Sequence, residues 1–256
     1  MKRLFIILIS IFCLGFSFIA AAQNNTQATD DVYLVPNPQT AKWSYIHTNS
    51  KGDHVSTTYH SVESLKGDGV NGRIKMCVEE VFADSPNETT KDFVHYVFKN
   101  GEYIIDMGAI LGLESLPELV DSILAEKGAE VTEAEKAEIE EQLKSELNIS
   151  GELRGMPRYP KVGKLPDYKI QFKLSIMNLK VYGENRSIVG TETIQTPAGE
   201  FDCFIMEETI TTKVLLSKDV EKIRSWYAYG IGLVKEVTYD KKGKLISTVI
   251  LNEINW

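Results

Sequence analysis

The chain is poor in the residues on which most enzymes and metal proteins depend. Its 256 residues include four histidines, His47, His54, His60 and His95, and three cysteines. No C-x-x-C, H-E-x-x-H, G-x-S-x-G or P-loop pattern occurs. The usual signatures of zinc binding, metallohydrolysis, serine hydrolysis and phosphate cradling are therefore missing. His54 and His60 fall on one strand face, but six strand residues span about 20 Å, too far for one metal. Positive charge is also short: 28 Lys and Arg stand against 36 Asp and Glu, a formal net of −8. Nucleic acid is excluded as a partner, because phosphates need a concentrated basic face. Neither a metal nor a cofactor is expected, and no residue qualifies as catalytic.

Long apolar runs are lacking after the first. Lys2 and Arg3 precede an apolar stretch, Leu4 to Ile19, and Ala20-Ala21-Ala22 follows. Positive start, short apolar run and small residues are the order of a cleavable signal peptide, 1–22, with Gln23 as the new terminus. Lipidation at Cys13 is the alternative, and the bulky Phe12 opposes it. The expected product is periplasmic or secreted, with no transmembrane anchor after cleavage. Cys77 and Cys203 remain. An oxidising compartment permits a disulfide between them, and their apolar surroundings equally suit two buried thiols.

One stretch imitates a nucleotide site. Gly67 to Gly72, GDGVNG, spells G-x-G-x-x-G. That fingerprint works only between a strand and a helix, whose N-terminus carries the pyrophosphate. Arg73 to Phe82 follows here, rich in β-branched and aromatic residues and without helical spacing. The glycines are expected to make a loop between strands.

After a polar leader, 23–40, the period is two. Trp43 and Tyr45 share one strand face; Val55, Thr57, Tyr59 and Ser61 share another. Lys51-Gly52-Asp53, Asn100-Gly101, the TPAGEF stretch 196–201 and Asp240-Lys241-Lys242-Gly243 read as turns. Ile170, Phe172, Leu174 and Ile176 alternate, and Leu179 and Val181 follow in the opposite phase. This predicts a bulge near Met177-Asn178. Gly183-Glu184-Asn185 reads as a further turn.

Residues 114–150 break the pattern. Leu116, Leu119, Val120, Ile123 and Leu124 have helical spacing, opened by a Ser115/Glu118 capping box. Thr132 and Glu135 make a second box before Ile139, Leu143 and Leu147. Two connected helices are expected here. Residues 114–147 hold eleven acidic side chains against three lysines, which reads as a solvated face or as an acidic docking surface.

The stretches YPKVGKLPD, TPAGEFDCF and WYAYGIGLVKEVTYDKKGKLIS follow in that order. In them the chain resembles the TapB-like family of exported bacterial proteins, centred on a domain of unknown function. The resemblance implies a curved antiparallel sheet wrapped around helices, similar in architecture to the half-barrels of the lipoprotein carriers LolA and LolB. It supplies no catalytic residues. The expected fold class is α+β, mostly β: one domain, 41–256, with a curved antiparallel half-barrel sheet and an acidic helical insertion.

Trp226, Tyr227 and Tyr229 beside Gly230 and Gly232 form the aromatic group best suited to contact a ligand at the mouth of such a sheet. Packing the core is the other use of such residues. Glu79-Glu80 and Glu207-Glu208 are adjacent carboxylates, but strand neighbours face opposite ways, so neither pair serves one substrate. Two functions stay open. One is a non-catalytic envelope protein holding an apolar or lipid-like ligand. The other is a module with a filled core that binds an envelope protein or glycan.

Overall fold

The computed structural model describes residues 41–67, 71–99, 102–105, 132–146, 148–157, 159–174, 177–214 and 217–255. The expected signal peptide, the leader, the Asn100-Gly101 turn and the first helix of the insertion lie outside these residues.

Two meanders make the fold. The first runs through β1 (Lys42–Asn49), β2 (His54–Gly67), β3 (Gly72–Phe82), β4 (Thr89–Lys99) and the short β5 (Glu102–Ile105). Helix α1 (Glu133–Glu146) follows, then β6 (Asn148–Gly151), β7 (Leu153–Pro157) and the two-residue β8 (Gly163–Lys164). The second meander is β9 (Tyr168–Leu174), β10 (Met177–Thr196), β11 (Gly199–Val214), β12 (Ser217–Ala228), β13 (Gly232–Asp240) and β14 (Leu245–Asn255). β14 pairs with β1 and joins the two. The result is one antiparallel sheet in the order β6-β9-β10-β11-β12-β13-β14-β1-β2-β3-β4-β5-β7, with β8 on β10.

The expected turns form where the sequence provides for them. Asn49 Oδ1 accepts from the backbone of Lys51 and Asp53, with Gly52 at φ 84°. Asp240 Oδ1 does the same for Lys242 and Lys244, with Gly243 at φ 83°. Gly67 pairs with Gly72 to close the β2–β3 hairpin, and a strand follows Gly72. The dinucleotide reading therefore fails on its required helix. At the second capping box, Thr132 N–H and Oγ1–H donate to Glu135 Oε2, and Glu135 N–H donates to Thr132 Oγ1. The helix it opens is exposed along most of its length, so its acidic side chains face water.

Two expectations change places. Met177 pairs with Leu174, so the phase change marks a hairpin between β9 and β10, not a bulge. The Gly183-Glu184-Asn185 stretch does not turn; β10 runs straight through it to Thr196. The register with β11 slips there between Glu184 and Ser187, with Asn185 at φ 56°. Asn tolerates this left-handed conformation better than most residues, and the extra residue is absorbed as a bulge.

The sheet is strongly curved and does not close into a barrel. Its edge strands are β6 on β9 and β7 on β5, joined in the chain by Glu152 alone. The two ends of the sheet therefore meet at one short segment, 148–157, which we call the seam. Gly151 makes its corner at φ 90°, where a Cβ would collide with the Lys169 carbonyl. The inner face gathers Trp43, Tyr45, Ile74, Met76, Ile170, Ile188, Ile210 and Leu251, all nearly inaccessible. Burying such side chains contributes about 1.5–3 kcal/mol each before entropy is counted.

Candidate functional site

The inner face is not wholly apolar. The β10 bulge turns Arg186 inward, and its side chain is 1% exposed. It is the one buried Lys or Arg among the described residues. Nε–H donates to Glu208 Oε2 at 2.9 Å. Nη1 donates to the Pro166 carbonyl at 2.8 Å, and Nη2 to the carbonyls of Arg154 and Gly155 at 2.7 and 3.1 Å. Arg154 and Gly155 belong to β7, so one guanidinium ties the edge of the sheet to β10 and β11. Those carbonyls belong to an edge strand, and Arg186 satisfies them. Burial raises the Glu208 carboxyl above its ordinary value, and Arg186 pulls it back.

Two phenols, Tyr168 and Tyr227, flank this pair, and a third, Tyr96, lies beside Tyr227. Tyr168 pairs with Gly183 across β9–β10, and its ring covers that glycine so closely that a Cβ would strike it. The Arg186 guanidinium lies 4.9 Å from the centre of the same ring. Tyr227 and Ser225 come from β12; Ser225 Oγ–H donates to Glu236 Oε2 of β13 at 2.9 Å. Burial, first, and then the carboxylates of Glu208 and Glu236 raise the Tyr168 and Tyr227 hydroxyls well above their ordinary values. Burial raises Tyr96 of β4 too, and it lies close enough to Tyr227 to act on its ionisation. All three therefore stay neutral. The hydroxyls of Tyr96 and Tyr168 have no hydrogen-bond partner among the described residues.

A second polar patch lies on β1–β3. Thr58 Oγ1 bonds both His47 Nε2 and His60 Nε2 at 3.0 Å. His60 stacks on Trp43 at 5.5 Å and meets the Tyr45 ring edge-on at 5.1 Å. Burial lowers the His47 pKa to about 4, helped by His54, and holds His60 well below the ordinary value. Glu80 is also buried and raised, its desolvation opposed by a Ser56 hydrogen bond. β2 therefore turns Ser56, Thr58 and His60 inward while Val55 and Tyr59 are 43% and 49% exposed. That inverts the usual strand pattern, in which the apolar side packs inward.

No curated protein matches the sequence. A family model described as DUF3108-like matches residues 39–251. The chain belongs to the DUF3108-like family. That description, not the TapB-like name, is what its residues match. In fold it is similar to a candidate lipoprotein from Parabacteroides distasonis, with TM-score 0.61 and 17% identity over 89% of this chain and 100% of the other. A candidate exported protein with a YmcC-like fold from Bacteroides fragilis gives 0.57 and 15%, over 86% and 98%. At these identities the likeness is one of fold.

In this DUF3108-like chain the aromatic group expected from the sequence is split. Tyr227 is buried and joins the seam cluster. Trp226 takes the opposite face, where its Nε1–H donates to Glu192 Oε2 at 2.7 Å. Arg224 and Lys235 cover its ring at 5.2 and 5.0 Å. Tyr229 follows the strand end, 37% exposed and edge-on to Phe204 at 5.3 Å. Cys77 and Cys203 are buried free thiols. The expected disulfide is absent because β12, β13, β14, β1 and β2 separate their strands in the sheet. The adjacent glutamates divide as expected. Glu207 pairs with Arg224 and Glu79 with Lys91 at half-exposed positions, while Glu208 and Glu80 are buried. His60 is buried, whereas His54 is exposed.

Sequence reasoning missed Arg186, Tyr168, Glu236 and Tyr96. The one available signal was Asn185-Arg186 after Gly183 in a strand-like stretch, which reads as a bulge as readily as a turn. Among the described residues no His, Cys, Asp and Glu group is placed to hold a metal. No described helix is long and apolar enough to cross a membrane.

Proposed function

We propose that this protein is an exported, non-catalytic binding protein of the cell envelope whose curved sheet holds an apolar or lipid-like molecule against its inner face. One observation carries the reading: the open hydroxyls of Tyr96 and Tyr168, buried in an interior that is mostly aliphatic and aromatic. A packed core satisfies its polar groups, since each one left open costs about 1–3 kcal/mol. Open donors within a mostly apolar face suit a guest that is apolar with a polar end. Tyr227 belongs to that contact surface. Tyr229, with Phe204, flanks it at the strand end, and Trp226 braces the opposite face. The similarity in fold to a candidate lipoprotein and a candidate exported protein supports the location.

A second reading rests on the outer face of β2–β4. Val55, Tyr59 and Phe93 are exposed there, with Lys75 4.2 Å over the Phe93 ring. Such a patch suits an envelope protein or a glycan.

Native mass spectrometry of the protein purified gently from the envelope tests the first reading. An added mass that is lost on denaturation and identifies as an apolar molecule supports it. A clean apo mass, under conditions that preserve the cargo of a known lipid carrier, counts against it and directs the search to crosslinked partners.

A further inference from the structure

Resting on the proposed apolar ligand, we infer that its buried end carries an uncharged oxygen function, a hydroxyl or carbonyl, held by the hydroxyls of Tyr168 and Tyr96, and that anionic headgroups are refused.

The charge arrangement at the seam decides this. An anionic headgroup buried in a protein needs a cation or several donors to replace its water. Arg186 is the one buried cation among the described residues, and its nitrogens are already bonded to Glu208 and three backbone carbonyls. Taking it for a ligand would uncover those carbonyls and leave Glu208 alone in the interior. The cation beside Tyr168, Arg186, is already paired with Glu208, and the Glu236 carboxylate also acts on Tyr168 and Tyr227, so a phosphate or carboxylate placed beside these phenols would find no unpaired cation. The phenols themselves stay neutral and offer O–H. The hydroxyls of Tyr96 and Tyr168 are open, as is the Trp43 Nε1–H on β1, away from the Arg186 network. A neutral oxygen accepts from a phenol without disturbing the Arg186 network, and an alcohol can also donate back.

The ring of Tyr168 is fixed before any guest arrives. Gly183 lies beneath it and Arg186 beside it, so its hydroxyl has little freedom to lose on binding. An open donor that is held rigid destabilises the empty protein and is expected where recognition, not stability, set the residue.

The test is displacement of a neutral environment-sensitive dye, Nile red, from the purified protein at neutral pH. The competitors are hexadecane, hexadecanol, methyl hexadecanoate, hexadecanoate and hexadecylamine. The alcohol and the ester are expected to compete about tenfold more strongly than the carboxylate, the size of one charged-group mismatch. Tyr168→Phe and Tyr96→Phe are each expected to weaken the alcohol about fivefold and leave hexadecane unchanged, as the loss of one hydrogen bond requires. Both variants keep the ring, so both should fold, with unliganded Tm equal to or above the parent. If hexadecane binds while the carboxylate or the amine matches or beats the alcohol, the headgroup assignment is overturned and the apolar reading survives. The same holds if neither phenylalanine variant changes the alcohol. If no competitor and no dye binds, both fail together.

Discussion

Arg186 Nε–H and Glu208 Oε2 stand 2.9 Å apart inside the sheet, with side chains 1% and 5% exposed. Three backbone carbonyls share the same guanidinium, two of them on β7. The pair therefore does more than neutralise two charges: it holds the last strand of the sheet against β10. Removing one partner strands the other, which costs about 3–5 kcal/mol for a buried pair. Arg186→Met and Glu208→Leu should each show that loss in urea unfolding. The double variant should lose less than the two together, because no lone charge remains. Arg186→Lys should not rescue, since an ammonium cannot reach a carboxylate and three carbonyls in the fork geometry.

Gly183 and Tyr168 make a second testable contact. Gly183→Ala places a methyl inside the space of the Tyr168 ring. A loss of about 1–3 kcal/mol is expected for such overpacking. Adding Tyr168→Ala should remove the clash, so the alanine at 183 should cost far less in that background. Equal costs in the two backgrounds would show that the glycine serves something else. Thermal unfolding of the four proteins in the cycle decides it.

The buried histidines give a pH dependence with a defined sign. The His47 pKa falls to about 4 in the folded protein, from 6.5 in the unfolded chain. Between those values the unfolded chain binds the extra proton, so stability rises with pH and is lost as pH falls from about 6.5 towards 4. The loss attributable to His47 should be on the order of 2 kcal/mol, after allowance for its partial exposure. Glu80 and Glu208 act in the opposite sense. Their raised values mean the folded protein takes up protons first, so they favour folding as pH falls through those values. His47→Gln removes one slope and leaves the others. Denaturation midpoints across this range should be flatter for that variant than for the parent; identical curves would remove His47 from the explanation.

The two thiols should be present and hidden. Burial, first, and then the Asp202 and Glu192 carboxylates push the Cys203 thiol up to about 12. Cys77 is raised too, chiefly by desolvation. Neither should form much thiolate at neutral pH, and the thiolate is the reactive form. Alkylation without reductant should leave both unmodified in the folded protein. In denaturant both should be labelled, as read by peptide mass. A peptide joining Cys77 to Cys203 would contradict the sheet order.

Much of the architecture was legible along the chain. The alternation of Ile170, Phe172 and Leu174 marked a strand. The Asp240 to Gly243 turn and the Thr132/Glu135 box act within a few residues, so their chemistry shows locally. The swap between the expected bulge at 177–178 and the expected turn at 183–185 shows the limit. A phase change and a glycine-asparagine pair each fit both outcomes, and only the pairing with β9 and β11 separates them.

The candidate site was hidden for the same reason. Arg186, Glu208, Tyr168, Tyr227 and Tyr96 come from β10, β11, β9, β12 and β4. None of them is marked by its immediate neighbours. β2 went further and hid its direction: Ser56, Thr58 and His60 look like a solvent face and are the inner one.

By itself the sequence determined the acidic charge, the absence of catalytic motifs, the β-rich class, the capped acidic helix and the positions of most turns. Each follows from composition or from contacts within a few residues. The tertiary structure alone decided which face of each strand is inside, which thiols stay apart and where the polar cluster sits. Those outcomes depend on a sheet whose first and last strands are consecutive in the chain. Its curvature brings β4 and β7 against β9 to β12, and no local pattern of residues encodes that meeting.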